Sequence, residues 1–232
     1  MITRPFTDSE FTLRNVRRDF PEWHLGRPSY ALWALNVDIT PVRSRMLAAQ
    51  QHLDGLLLDG YQRQPHITLS LCGFPCETPQ APDDFGTDSL RAQIEALRRA
   101  RPQPFEIDIG NLASFTSVPY LTVNDADGHI ARLRECLALG TANNASGGYT
   151  PHVTVGLYAD AWPTSQVQAL LDRFACETPL RLRIASASWV SYAAAVIGGP
   201  LTHLVDYDFV SGTAAFHSQI DRRLGAKPQT VL

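Results

Sequence analysis

One short pattern occurs twice in the chain and constrains the fold more than any other feature. Pro65-His66-Ile67-Thr68-Leu69 and Pro151-His152-Val153-Thr154-Val155 each alternate polar with apolar residues, the period-two signature of a half-buried strand. With 16 Pro and 7 His in 232 residues, chance placement yields roughly 0.04 Pro-His-x-Thr sequences per chain of this composition. The surroundings repeat as well. Tyr30 to Val37 predicts a strand, and Thr40-Pro41 predicts a cap and first turn for a helix with Val42, Met46, Ala49, Leu53 and Leu57 on its buried stripe. Pro119 to Val123 predicts the matching strand, with Asp127 capping a helix that carries Ile130, Leu133 and Leu137. From strand start to histidine is 36 residues in one half (30 to 66) and 33 in the other (119 to 152).

The elements after each motif also match. A helix from Asp88 (Leu90, Ile94, Leu97) leads to a strand at Phe105, Ile107 and Ile109. A helix opened by Pro163 (Val167, Leu170, Leu171, Phe174) leads to a strand at Leu180, Leu182 and Ile184, with a last strand over Leu204 to Phe209. Gly73 to Gly86 and Thr141 to Gly148 read as loops. These elements predict an internal duplication and an α+β fold. It is bilobed, with duplicated β-α-β lobes whose largely antiparallel sheets face a central cleft, helices outside. Residues 29–211 form the single bilobed domain, 1–28 an N-terminal extension and 212–232 a C-terminal tail.

Side chains two apart on a strand share a face, so each motif offers an imidazole and a hydroxyl from one side while its apolar residues pack on the other. Two related lobes would bring both pairs to one cleft. Imidazole titrates near 6.5, so one copy can accept a proton while the other donates one near neutral pH. In phosphodiester hydrolysis that means a base activating water and an acid protonating the leaving ribose oxygen, with the threonine hydroxyls holding non-bridging oxygens. No metal or cofactor is required by this scheme.

These residues resemble the paired motifs of the 2H phosphoesterase superfamily, in particular the bacterial 2′-5′ RNA ligase and cyclic phosphodiesterase group. The resemblance implies a bilobed fold and hydrolysis of 2′,3′-cyclic phosphate RNA ends or small cyclic nucleotides, commonly to a 2′-phosphate. It also implies His66 and His152 as acid and base, in an order left open, and Thr68 and Thr154 as phosphate ligands. In-class alternatives are a 2′-5′ RNA ligase and a 2′-5′ phosphodiesterase; a non-catalytic RNA- or nucleotide-binding module is the rival from another class.

Other candidates are secondary. Ser70 continues the polar face of the first motif, and Phe115 and Tyr149 are candidates to stack a base; Phe115, Trp33, Trp189 and Tyr192 equally suit a core. His52, His129, His203 and His217 taken singly read as ordinary half-buried residues. The arginines at 17–18, 98–101, 132–134 and 181–183 read as surface charge, the alternative being that one of them binds a terminal phosphate.

Composition narrows the partners. With 20 Lys plus Arg against 23 Asp plus Glu, the net charge is -3, which disfavours a grip on long nucleic acid and leaves short anionic ends as substrates. No stretch approaches a membrane span and the first thirty residues lack the apolar centre of a signal peptide, so the expectation is a cytoplasmic monomer. Cys72, Cys76, Cys136 and Cys176 follow no zinc spacing and are expected to be reduced, although Cys72 and Cys76 could clip the loop between them.

Overall fold

A computed structural model describes residues 6–139, 148–174 and 178–217. Cys176, most of the loop expected at Thr141 to Gly148, and residues 218–232 of the expected tail lie outside the described residues. The elements, in chain order, are a 3-10 turn at Phe6–Asp8, α1 (Pro21–His24), β1 (Ser29–Asn36), α2 (Thr40–His52), β2 (His66–Pro75), β3 (Asp84–Phe85) and α3 (Thr87–Ala100). Then come β4 (Phe105–Ser114), β5 (Pro119–Asn124), α4 (His129–Leu137), β6 (His152–Thr154) and α5 (Thr164–Leu171). Strands β7 (Leu180–Ile184), β8 (Ser186–Ala193), β9 (Thr202–Asp208) and β10 (Thr213–Phe216) close the order. The strand β10, within the segment read as a tail, pairs antiparallel with β9.

Two sheets carry the lobes. One runs β10-β9-β8-β1-β2-β3 and the other β6-β5-β4-β7, and all pairings are antiparallel except the short β2–β3 contact. Their apolar faces and helices α2 to α5 share one core. Trp33 and Trp189 are partners across β1 and β8, both fully buried in it. Burying an indole removes on the order of 200 Å² of apolar surface from water, worth about 5 kcal/mol.

The duplication is in register. His66 pairs with Asn36 and His152 with Thr122, a separation of 30 residues in both halves (36 to 66, 122 to 152). Thr68 pairs with Ala34 and Thr154 with Tyr120. The same strand–helix–strand unit thus holds each motif strand at the same position beside its neighbour.

Several local expectations need correction. No side chain caps α2; Thr40 lies in its first turn, and Leu57 falls beyond its end, bridging to Tyr158. At α4 the capping carboxylate is Asp125, not Asp127: its Oδ2 accepts from the Ile130 amide at 2.6 Å. Strand β8 lies inside the first sheet, in a stretch where alternation predicts none. The expected loop after Leu71 starts as strand, since β2 runs on to Pro75 and pairs with β3. There Gly73 (φ +119°) comes so close to Asp83 that a Cβ would lie 2.2 Å from its carbonyl oxygen, which only glycine allows. The N-terminal segment clamps the same loop: Arg27 donates to Asp83 at 2.7 and 2.9 Å and to Asp84 at 2.9 Å, its guanidinium 3.6 Å over the Phe74 ring. Cys72, Cys76 and Cys136 are free thiols.

Candidate active site

Strands β2 and β6, which carry the two motifs, lie against each other, and the charge of His152 is felt at His66. Both imidazoles are held the same way. A carbonyl oxygen can only accept, so His66 donates from Nδ1 to Gln64 O at 2.8 Å and His152 donates from Nδ1 to Thr150 O at 2.8 Å. Each bond spans two residues, fixes the ring, and in the neutral form leaves Nε2 with its lone pair for a reactant. Thr68 and Thr154 are half-buried, and among the described residues neither hydroxyl is engaged by another side chain or carbonyl.

Burial sets the resting protonation. It pushes His66 down to about 4; the Gln64 carbonyl partly opposes this, and the nearby charges of Arg63 and His152 add to it. Burial also lowers His152, against the opposing pull of the Thr150 carbonyl. Both rings are therefore neutral at neutral pH. Because the charge of His152 is felt at His66, an anion placed between them would favour protonation of either.

Tyr149 and Arg134 join the lobes behind this pair. The Tyr149 hydroxyl donates to the Thr68 carbonyl, Arg134 donates to the Leu69 carbonyl, and its guanidinium lies 3.5 Å over the Tyr149 ring. The expected base-stacking residue thus has its hydroxyl and one ring face engaged in a strut between the motif strands. Phe115 is stacked on Tyr120 at 4.3 Å and meets the His152 ring edge-on at 5.0 Å, so it forms part of the wall around that imidazole.

Ser70 does not continue the polar face. Between Trp33 and Ala34 of β1, strand β2 carries one extra residue, so Trp33 faces Ser70 while Ala34 faces Thr68. The bulge turns Ser70 toward the helices, where it is fully buried and bonds to the Leu137 carbonyl at 3.2 Å, while its neighbour Leu71 is 38% exposed.

Two features carry no mark in the sequence pattern. Arg63 is the arginine whose charge reaches His66; it stacks 4.0 Å over Tyr192 and donates to Gly199 O at 3.3 Å. It lies three residues before His66, a proximity visible in the sequence but without periodicity to single it out. Asp206 is a hub, accepting from Ser188, from His203 at 3.3 Å and from His217 at 2.7 Å, and these bonds hold its carboxyl far below the usual range. His203 also lines a small notch with Asn36, Ser188 and His66. Only the fold unites these residues. Among the described residues no group of three or more His, Cys, Asp or Glu side chains is arranged to hold a metal ion, and no helix is long and apolar enough to cross a membrane.

Comparison with solved structures shows the same fold. TT0787 of Thermus thermophilus superposes with a TM-score of 0.53 at 16% identity, covering 78% of this chain and 97% of that one. E. coli LigT in apo form gives 0.53 at 13% identity (79% and 98% covered), and its complex with 3′-AMP gives 0.54 at 14% (79% and 98%). No curated protein sequence matches the chain. The family model of the 2′-5′ RNA ligase superfamily matches residues 28–195, a span that holds both histidine strands and the helices between them. On that match the chain belongs to the 2′-5′ RNA ligase superfamily of 2H phosphoesterases.

Proposed function

We propose that the chain hydrolyses 2′,3′-cyclic phosphates, on RNA ends or small cyclic nucleotides, by paired-histidine acid–base catalysis. The observation that carries this reading is the identical tethering of the two imidazoles, each donating from Nδ1 to a carbonyl two residues upstream and each keeping Nε2 for the reaction. One Nε2 takes a proton from water as its oxygen attacks phosphorus. The P–O bond to one ribose oxygen breaks in line, and the other imidazole, protonated in the presence of the anion, gives that oxygen its proton. The product is a phosphate monoester. Thr68 and Thr154 donate to the non-bridging oxygens, Arg63 adds positive charge on the His66 side, and Phe115 and Tyr149 border the space for the base. The net charge of -3 favours short ends over long RNA.

The family's name favours a second reading, 2′-5′ ligation, in which a ribose hydroxyl replaces water and the same groups act. Product analysis separates the two. Incubation with 2′,3′-cyclic nucleotides, cyclic-phosphate-ended RNA and 2′-5′ dinucleotides should give phosphate monoesters from the first two. His66→Ala and His152→Ala should each lower kcat by roughly 10² to 10⁴. Full activity in either variant would falsify the assignment, and binding of a cyclic nucleotide without turnover would favour a binding module.

A further inference from the structure

The segment before residue 28 lies outside the span matched by the family model, yet it is bonded into loops of the second lobe. From Ser9 to Asn15 it runs as a strap along two loops of the second lobe. Thr164 donates from its hydroxyl to Ser9 O at 2.6 Å and from its amide to Glu10 O at 2.9 Å. Thr12 exchanges bonds with Trp162, its amide donating to Trp162 O at 2.8 Å and its Oγ1 accepting from the Trp162 amide at 2.8 Å. Leu13 then donates to Thr116 O at 2.7 Å and Asn15 to Tyr158 O at 2.9 Å, both through backbone amides.

Asn15 is where the strap ties the loops together. Its side-chain amide lies within hydrogen-bond distance of three carbonyl oxygens, Leu13 at 3.2 Å, Ser117 at 3.1 Å and Tyr158 at 3.1 Å. Thr116 and Ser117 belong to the turn between β4 and β5, and that turn begins at Phe115, the residue whose ring meets His152 edge-on. The strand leading into the turn is tied to the same residue: Ser114 shares a hydrogen bond of 2.6 Å with the Tyr158 hydroxyl. Asn15 therefore joins the backbone on both sides of one junction, 158 on one hand and 117 on the other.

We propose that Asn15 is a positioning residue for the reaction, holding the 115–118 turn so that Phe115 stays seated against His152. The inference rests on the reading of His152 as a proton-transfer group. An aromatic ring held at that imidazole excludes water from it, and water is what stabilises the charged form. Loosening the turn hydrates the ring and makes protonation easier. The other ionisable groups near His152 are Tyr120 and Tyr149, with ring centroids 5.4 and 6.5 Å away, and His66, which feels its charge. None of them is a hydrogen-bond partner of Asn15, whose side chain reaches the turn at Ser117 and the segment after β6 at Tyr158.

The test is an NMR titration of the His152 imidazole in the full chain without substrate, set beside pH profiles of turnover with 2′,3′-cyclic AMP. Asn15→Ala should move the His152 midpoint up toward the ordinary value near 6.5 and lower kcat several-fold, with the His66 midpoint unmoved. Phe115→Leu should move it the same way, and the double variant should move it no further than the larger single shift. A folded Asn15→Ala protein with an unchanged His152 midpoint would overturn the proposal, since a merely stabilising asparagine lowers the melting temperature and leaves the titration alone. If the alanine variant does not fold, Asn15→Ser, polar but too short to reach all three carbonyls, takes its place with the same two outcomes. His152→Ala separates this inference from the reading beneath it: full activity there removes the catalytic role, whereas the titration reports on positioning alone.

Discussion

The proton on His66 links the proposed chemistry to stability. Burial holds this imidazole near 4 in the folded chain, below the ordinary 6.5. Between those values the unfolded chain binds the proton and the folded chain does not, so stability falls as pH drops from about 6.5 to about 4 and is fully present above 6.5. The whole effect amounts to about 3 kcal/mol. His66→Gln removes it. Urea unfolding at pH 7 and pH 4 should therefore show a loss in His66→Gln that is smaller by about this amount than in the unsubstituted protein; equal losses would show that burial does not hold His66 neutral. The candidate residues differ in how legible they were. His66, Thr68, His152 and Thr154 follow from local alternation alone, which depends only on the strand's own period. Ser70 obeys the same period on paper, but its direction is set by the extra residue opposite Trp33, a cross-strand property absent from the local pattern. Arg63 and Asp206 depend on contacts between separate segments, as with the bond that Arg63 donates to the Gly199 carbonyl.

At the scale of the element, the strut between β2 and the start of β6 bears on the spacing of the two imidazoles. The Tyr149 hydroxyl bonds to the backbone of Thr68, which adjoins Ile67 and is two residues from His66, while Tyr149 itself stands three residues before His152. Tyr149→Phe keeps the ring, and with it the contact with Arg134 and any stacking with a base, but leaves the Thr68 carbonyl without this donor. The expected cost is about 1 to 2 kcal/mol in stability, from one lost bond at a partly buried carbonyl, with kcat reduced several-fold and KM for a cyclic nucleotide nearly unchanged. Denaturant titration and steady-state kinetics check both; a change confined to KM would assign Tyr149 to base recognition instead. Elements with one buried face were legible, as in α2, whose buried Val42, Met46 and Ala49 are the residues of the apolar stripe. Strand β8 was not. It is rich in Ala and Ser, and both of its faces are covered, with Trp189 in the main core and Val190 in a small cluster with Leu32, Ala34 and Leu201 on the other side. A strand buried on both sides has no alternation to read.

The duplication suggests two separable halves, but the strand order interlocks them. The first half supplies β4 to the second sheet, between β5 and β7, and the second half supplies β8, β9 and β10 to the first sheet, with β8 against β1. Removing either half leaves the other with a sheet that has lost an interior strand and a core that has lost one side. The missing neighbour would leave a row of unpaired backbone groups and an apolar face open to water, both of which oppose folding. The fragment 6–116 should therefore be unstructured by circular dichroism, and the fragment 117–217 likewise. Mixed together, they should recover sheet signal, because each carries strands the other lacks. In the intact chain, the same interlock with a single shared core should make the two sheets unfold together. Amides of β1 in one sheet and β4 in the other should exchange with the same opening free energy in native-state hydrogen exchange. A lower value confined to β4, β5 and β7 would mean that the second lobe opens alone, and His152 would then leave the site without unfolding the strand that carries His66.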